Sequence, residues 1–346
     1  MMNYSSALLA ILFISCAVLI WIFGIKLSKS IDTIVNYYGW GEAIGGIVFL
    51  AIITNLPEIA ITAVAAYHHD YDIAVSNILG GIAIQTVVLV LIDVYGVGRK
   101  APLTLKGHSK ILLIEGLTVI LILSLVIAAK YFPNSFNVLH TTPYEWLILF
   151  TWIFSIVGIS HLYQKTQIKK QLKHTLINER TVIQKPILGK ETINQALLIM
   201  IIGAMITLMA GYGLEVTGEI LSKRWGMSGV VFGATILALC TALPEISTGI
   251  ASAKIRDYQM AVSDIFGGNA FLPVLFLMAA LIGGESIFPN LKFSDIYLTS
   301  VGILLTSVYL IGMLFHSKKQ IWRMGIDSII VLVLYLLSII GLVYIN

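Results

Sequence analysis

Apolar positions in this chain run in long blocks, not in the one-sided stripes of helices packed on a soluble core. A helix that crosses a bilayer needs about 20 mostly apolar residues. Blocks of that kind cover residues 5–25, 42–66, 73–95, 111–129, 144–163, 193–221, 229–253, 259–282, 295–315 and 325–345. Polar residues gather in the short connections between them, and only 164–192 makes a long one. The pattern predicts an all-α integral membrane protein of ten transmembrane helices, with no stretch left for a soluble domain. The first block lacks a basic leader and a small-residue cleavage site, so it is expected to stay as a helix.

Composition supports this reading. Of 346 residues, 58% are hydrophobic and 12% charged, against roughly 25% charged in soluble domains; the mean hydropathy is +0.92. Cys16 and Cys240 fall in different spans, which gives no disulfide framework. The charge distribution carries more than the net charge of +4. Of the 22 Lys and Arg residues, 18 fall in the connections after spans 1, 3, 5, 7 and 9. Basic residues mark cytoplasmic loops, so both termini are expected outside and the basic connection 164–192 in the cytoplasm of a cell-membrane protein. That connection reads as a solvated linker, with contact to anionic lipid as the alternative.

The chain also repeats itself. Residues 54–83, TNLPEIAITAVAAYHHDYDIAVSNILGGIA, align without a gap on residues 241–270, TALPEISTGIASAKIRDYQMAVSDIFGGNA, at a constant offset of 187. About half the positions are identical, including the Pro-Glu, Asp-Tyr, Ala-Val-Ser and Gly-Gly pairs. Five spans separate the copies, an odd number, so the second enters the membrane inverted. Inverted repeats are characteristic of secondary transporters, whose substrate sits near the midplane between them. The expected organisation is a first five-helix repeat over 1–163 with its motif at 49–85, the connection 164–192, and a second repeat over 193–346 with its motif at 236–272.

The repeated motif has a defined chemistry. Pro57 and Pro244 cannot donate the helical hydrogen bond, which frees carbonyls at Ile53 and Cys240. Irregular backbone at membrane depth survives only when buried in protein or lining a wet cavity. Glu58 and Glu245 follow the prolines, and Thr54 and Thr241 precede them by one turn. Carboxylate, hydroxyl and carbonyl oxygens are the ligands of hard cations. Ionisable groups inside spans are functional candidates because burying them is expensive; the rival reading is a pair of structural glutamates kept neutral by protonation. Gly80-Gly81 and Gly267-Gly268 read as close helix packing, close backbone approach to an ion, or both. Pro273 breaks span 8 and has no counterpart in span 3, where Thr86 stands.

The motifs IITNLPE, YDIAVSNILGGIAIQ, ALCTALPE and YQMAVSDIFGGNAFL resemble the two alpha repeats of the cation/calcium exchanger superfamily, which includes sodium/calcium and calcium/proton exchangers. The resemblance extends to the ten-span plan and covers essentially the whole chain. It implies that Glu58 and Glu245 are the central divalent-cation ligands and that Thr54 and Thr241 supply oxygens to flanking sites. The chain departs from the family pattern at Asn55 and Ala242, at Gly81 and Gly268, all of which replace serines, and at Gln85 and Leu272, which replace Asn or Asp. Gln85 still offers a carbonyl and Leu272 does not. Asn77, Asp264 and Asn269 are further oxygen-bearing residues near the motif; Asp264 is a candidate for a second ion, a proton, or a mouth of the pathway.

Other polar clusters read more plainly. His68 and His69 belong to a solvated outer turn, Glu215 and Glu219 to an interfacial helix face, and Asp93 and Glu115 to interface pairs with Arg99, Lys100 or Lys110. Trp21, Trp146 and Trp322 are expected as interfacial anchors. No nucleotide-binding loop or nucleophile constellation is present, so no enzyme activity, cofactor, nucleic acid or protein partner is expected. The expected function is secondary cation antiport by alternating access: export of Ca2+ in exchange for Na+ or H+. Exchange of Mg2+ or another cation for protons, and ion sensing without transport, are the alternatives.

Overall fold

In a computed structural model of the protein, the residues described are 5–38, 50–99, 101–131, 139–177 and 190–345. The first half runs α1 (Ser6–Tyr38), α2 (Leu50–Thr54), α3 (Leu56–Tyr67), α4 (Tyr71–Ile92), α5 (Leu103–Lys106), α6 (Lys110–Tyr131) and α7 (Pro143–Ile177). The second runs α8 (Lys190–Arg224), α9 (Gly229–Phe232), α10 (Ala238–Thr241), α11 (Leu243–Lys254), α12 (Tyr258–Phe271), α13 (Leu275–Gly283) and α14 (Phe293–Phe315). A two-residue hairpin, β1 (Gln320–Ile321) with β2 (Met324–Gly325), leads into α15 (Ile326–Ile345). The protein is all-α and integral to the membrane.

Among the described residues, 8 helices are long and apolar enough to span a bilayer, or 9 when the segments Gly229–Thr241 and Leu243–Lys254, bent by 45°, count as one. The second predicted span is represented by α2 and the short apolar helix α3; its residues 42–49 lie outside the described residues. The connection 164–192 is partly helical: α7 continues to Ile177, α8 starts at Lys190, and 178–189 lie outside the described residues.

The repeat seen in sequence recurs as geometry. Helices α3 and α11 have the same limits at the offset of 187. Each ends in a left-handed residue, His69 (φ 59°) and Arg256 (φ 67°). The same backbone bonds close both turns: Asp70 N to Ala65 O, and Asp257 N to Ser252 O. Asp70 then caps α4 through Ile73 N, as Asp257 caps α12 through Met260 N, satisfying one of the free amides at a helix start.

The two copies face opposite ways. The turn at 67–72 joins the 283–292 segment through Tyr71 Oη to Gly283 O and through the Lys292–Asp72 ion pair. Lys130 donates to Pro289 O on this same face. The turn at 254–258 meets Gly107 instead, on the face where Gln320 Nε2 donates to Gly98 O. Helices α1 and α8 show the inversion directly. Gly218 lies against Phe13, Gly213 against Cys16 and Gly203 against Leu27, so one chain rises as the other falls. At the offset of 187, Cys16 corresponds to Gly203 and Leu27 to Leu214, so the crossing is close to self-complementary, as a pseudo-twofold axis requires.

Helix α4 is buried along its length, because α3, α11, α12, α14 and α15 all pack on it. Such a helix shows no amphipathic stripe. The outer helices leave large apolar side chains exposed, among them Ile11, Phe154, Met209 and Tyr344, which is the surface a bilayer requires.

Candidate ion-binding site

Each half breaks a helix at the same place. Helix α2 stops at Thr54 and α3 starts at Leu56, with Asn55 between them at φ −90° and ψ 17°. Ala242 separates α10 from α11 at φ −80° and ψ 0°. The proline stands in the first turn of the new helix in both cases, where its missing N–H costs nothing. The two breaks are finished differently. Asn55 Nδ2 donates to Ala51 O at 2.6 Å, while Thr241 Oγ1 donates to Ala238 O at 3.1 Å.

The glutamates sit in the first turns of α3 and α11, the positive ends of two half-helices, where a carboxylate is favoured. Glu58 is 0% and Glu245 1% exposed. All four of their carboxylate oxygens are buried without a hydrogen-bond partner. The side chains of Thr241 and Gln85 approach Glu58, and Glu245 lies within Coulombic reach of Glu58 and Asp264. Carboxylates brought together in a low-dielectric interior repel strongly. Buried polar atoms in native proteins are otherwise almost always paired. Four open oxygens on two converging acids make this pair the candidate cation-binding site.

Gln85 Nε2 donates to Asn55 Oδ1 at 3.3 Å, and Gln85 Oε1 has no partner. Gly268 makes room for this pair: a Cβ there would lie 3.1 Å from Asn55 Nδ2 and 3.2 Å from Gln85 Oε1. On the symmetry-related flank, Ala242 stands for Asn55, Leu272 for Gln85 and Gly81 for Gly268. A Cβ on Gly81 would meet Leu272 Cδ1 at 3.4 Å. One flank of the site thus carries amide groups and the other is filled with hydrocarbon.

The remaining candidates divide. Thr54 is buried beside the first break. Asp264 accepts from Thr248 Oγ1 at 3.2 Å and is only half-buried, whereas its counterpart Asn77 is fully buried with no partner for its amide. Asn269 donates to Thr86 Oγ1 at 3.1 Å, and its carbonyl oxygen has no partner. The structure therefore gathers Glu58, Glu245, Asn55, Gln85, Thr241 and Asp264, and ties Asn269 to Thr86.

Three expectations for acidic residues are corrected. Among the described residues Glu115 has no ion-pair partner; it is buried and accepts from Ser263 Oγ at 2.7 Å. Asp93 is buried too, accepting from Leu103 N and Gly325 N and from Ser328 Oγ. Glu215 is not on an interfacial face. It is fully buried with both oxygens unpartnered, while Glu219 pairs with Lys223. In each case the sequence places the residue near a span end, where solvent access is a matter of tertiary packing.

The structure also adds two residues to the site's frame. Gly24 of α1 lies against Pro244, and Gly211 of α8 lies against Pro57: a Cβ would come to 2.5 Å from Pro244 Cγ and to 3.0 Å from Pro57 O. They are again 187 apart. Extending the repeat alignment upstream of residue 54 brings them into register, which is the signal that reveals them.

Comparison with known proteins bears on the family and the fold. The family model described as "Sodium/calcium exchanger protein" matches residues 8–161 and 195–344. The inner membrane protein YrbG of Escherichia coli is 26% identical over 250 residues, 72% of each chain. The uncharacterized membrane protein MJ0091 of Methanocaldococcus jannaschii is 25% identical over 316 residues, 90% of each. Among solved structures, native YfkE superposes with a TM-score of 0.68 at 14% identity, covering 98% of this chain and 93% of its own. The H+/Ca2+ exchanger CAX gives 0.66 at 11% identity, covering 97% and 87%. The sodium-calcium exchanger NCX_Mj gives 0.61 at 18% identity, covering 97% and 99%. At these identities the structural likenesses establish the fold.

Proposed function

Because the chain belongs to the sodium/calcium exchanger protein family, we propose that it is a secondary antiporter in which Glu58 and Glu245 jointly bind one divalent cation, Ca2+ foremost, and yield it to Na+ or protons. One observation carries the reading: two fully buried carboxylates, on opposed half-helices, with all four oxygens open. A divalent ion balances both charges. Without it the pair must take up monovalent cations or protons, since uncompensated charge in the interior costs several kcal/mol or more per ion. Competition for the same oxygens couples the two fluxes.

Alternating access is supported by the unequal burial of the two repeats. Asp264 and Thr248 are half-buried, while their counterparts Asn77 and Ile61 are buried. The site is thus closer to solvent on the face that carries the 254–258 turn. That face also bears Arg99, Lys106, Lys254, Arg256, Lys318, Lys319 and Arg323, so we assign it to the cytoplasm and both termini to the outside of the cell membrane, with Ca2+ export as the direction. Helices α1 and α8, spans 1 and 6, then rock or slide against the rest around the fixed carboxylates, with Gly24 and Gly211 as the bearing points.

The apolar flank at Leu272 favours a second reading of the counter-ion and cargo: a cation/proton exchanger, for Mg2+ or another divalent ion, that has given up a monovalent-ion position. Purified protein in liposomes separates the two when uptake of Ca2+, Mg2+ and Mn2+ is driven by a sodium jump or by a pH jump. Sodium-driven Ca2+ uptake supports the first reading and pH-driven uptake the second. Ion-dependent thermal stabilisation with no flux of any ion would identify an ion-sensing membrane protein instead.

A further inference from the structure

Helix α6 buries a carboxylate that the ion site does not use. Glu115 is 2% exposed. Its Oε1 accepts from Ser263 Oγ at 2.7 Å, and its Oε2 is buried without a partner. The residue borders a small cavity of about 20 Å³, with Ala51, Thr118, Trp152, Phe266 and Ala270 in its wall. That is room for about one water molecule, in a lining too apolar to hold a metal ion.

Among the described residues, no ion pair reaches Glu115. Helices α7, α12 and α14 pack on α6. From α12 come Ser263 and, one residue on, Asp264; from α7 come Trp152, Ser155 and Ile156, with His161 exposed beyond them; from α14 comes Leu310, against Gly116. Glu145 and Asp295 stand toward the opposite face, with Ser286 and Lys292. No basic side chain among the described residues pairs with the Glu115 carboxylate. A lone buried carboxylate in hydrocarbon takes up a proton rather than keep its charge. Since Ser263 donates to Oε1, the acid hydrogen belongs on Oε2, the oxygen left without a partner.

We propose that Glu115 is a proton-binding site outside the ion cage, linked to the cage through Ser263 and the α12 turn that carries Asp264. Asp264 receives Thr248 and lies within Coulombic reach of Glu245. A shift of α12 that accompanies ion loading therefore alters the Ser263–Glu115 bond, and with it the hold on the proton. Raising the pH ionises Glu115 in its apolar pocket, disturbs the α6–α12 contact and slows exchange.

Infrared spectroscopy of the purified full-length protein tests the proton directly, and radiolabelled Ca2+ uptake across a pH series tests its consequence. The uptake arm rests on the exchange function proposed above; the infrared arm does not, so the two fail separately. Wild type at neutral pH is expected to show a carboxylic-acid C=O band that Glu115→Gln removes, that Ser263→Ala shifts, and that Glu115→Asp restores at a displaced frequency. Glu115→Gln is expected to transport while losing the alkaline decline of the wild-type profile. An infrared spectrum unchanged by Glu115→Gln would overturn the proton site. Loss of the band with a pH profile superimposable on wild type would overturn its link to the ion cage.

Discussion

Leu272 packs against Gly81, close enough that a Cβ on the glycine would touch its Cδ1 at 3.4 Å. The same relation, turned over by the pseudo-twofold, sets Gln85 against Gly268. One repeat thus presents an amide to the site and the other an isobutyl group. An apolar side chain cannot replace the hydration of a cation, so Leu272 supplies no ligand where its counterpart Gln85 offers an amide oxygen.

Restoring an amide on the dry flank is expected to create cation binding there. Leu272→Asn, alone or with Gly81→Ser, should make thermal stability rise with Na+ concentration more steeply than in wild type. An added ion at 100-fold over its Kd contributes about 2.7 kcal/mol. Thermal unfolding in detergent over a sodium series checks this; parallel wild-type and variant curves would show that the flank does not limit ion number.

The glycine–proline contacts lead to a second expectation. Gly24→Ala forces a methyl group onto the Pro244 ring, and Gly211→Ala forces one onto Ala60 Cβ and the Pro57 backbone; overpacking of this kind costs about 1–3 kcal/mol. Both variants should melt earlier and exchange more slowly, because the contact lies where α1 and α8 bear on the broken helices. Gly158→Ala, with nothing within 4 Å of the added carbon, should behave as wild type in both assays.

Asp93 supports structure and not the ion. Its two oxygens hold Leu103 N, Gly325 N and Ser328 Oγ at 2.8, 2.7 and 2.8 Å, pinning the hairpin and the start of α15 to the end of α4. Asp93→Ala strands three donors and should cost about 3 kcal/mol or more. Calorimetric affinity for Ca2+ should be unchanged in the fraction that remains folded; a loss of affinity equal to that of a glutamate variant would place Asp93 in the ion pathway.

Much of this was legible in the chain. The constant offset of 187 located both breaks, both glutamates and both capping aspartates, because local backbone geometry follows from Pro, Gly and Asp at fixed spacing. The all-α membrane architecture was legible because apolar length is a property of the segment itself; of the ten expected spans, 8 or 9 stand among the described residues. The acids at span ends were not. Glu115, Asp93 and Glu215 look alike in sequence, yet one meets a serine of another helix, one clamps a hairpin some 230 residues away, and one is buried without a hydrogen bond. Those outcomes depend on which helix arrives opposite. Nor did the sequence foretell that the Asn55 side chain would turn back onto Ala51 O, two residues before the Ile53 carbonyl that Pro57 frees.

The central claim is that Glu58 and Glu245 form one divalent-cation site, and gradient-driven uptake of radiolabelled Ca2+ into proteoliposomes tests it most directly. The account predicts accumulation by wild type under an opposing sodium or proton gradient and its loss in both Glu58→Gln and Glu245→Gln, each shown to be folded by its elution profile. Full uptake retained by both variants would contradict it.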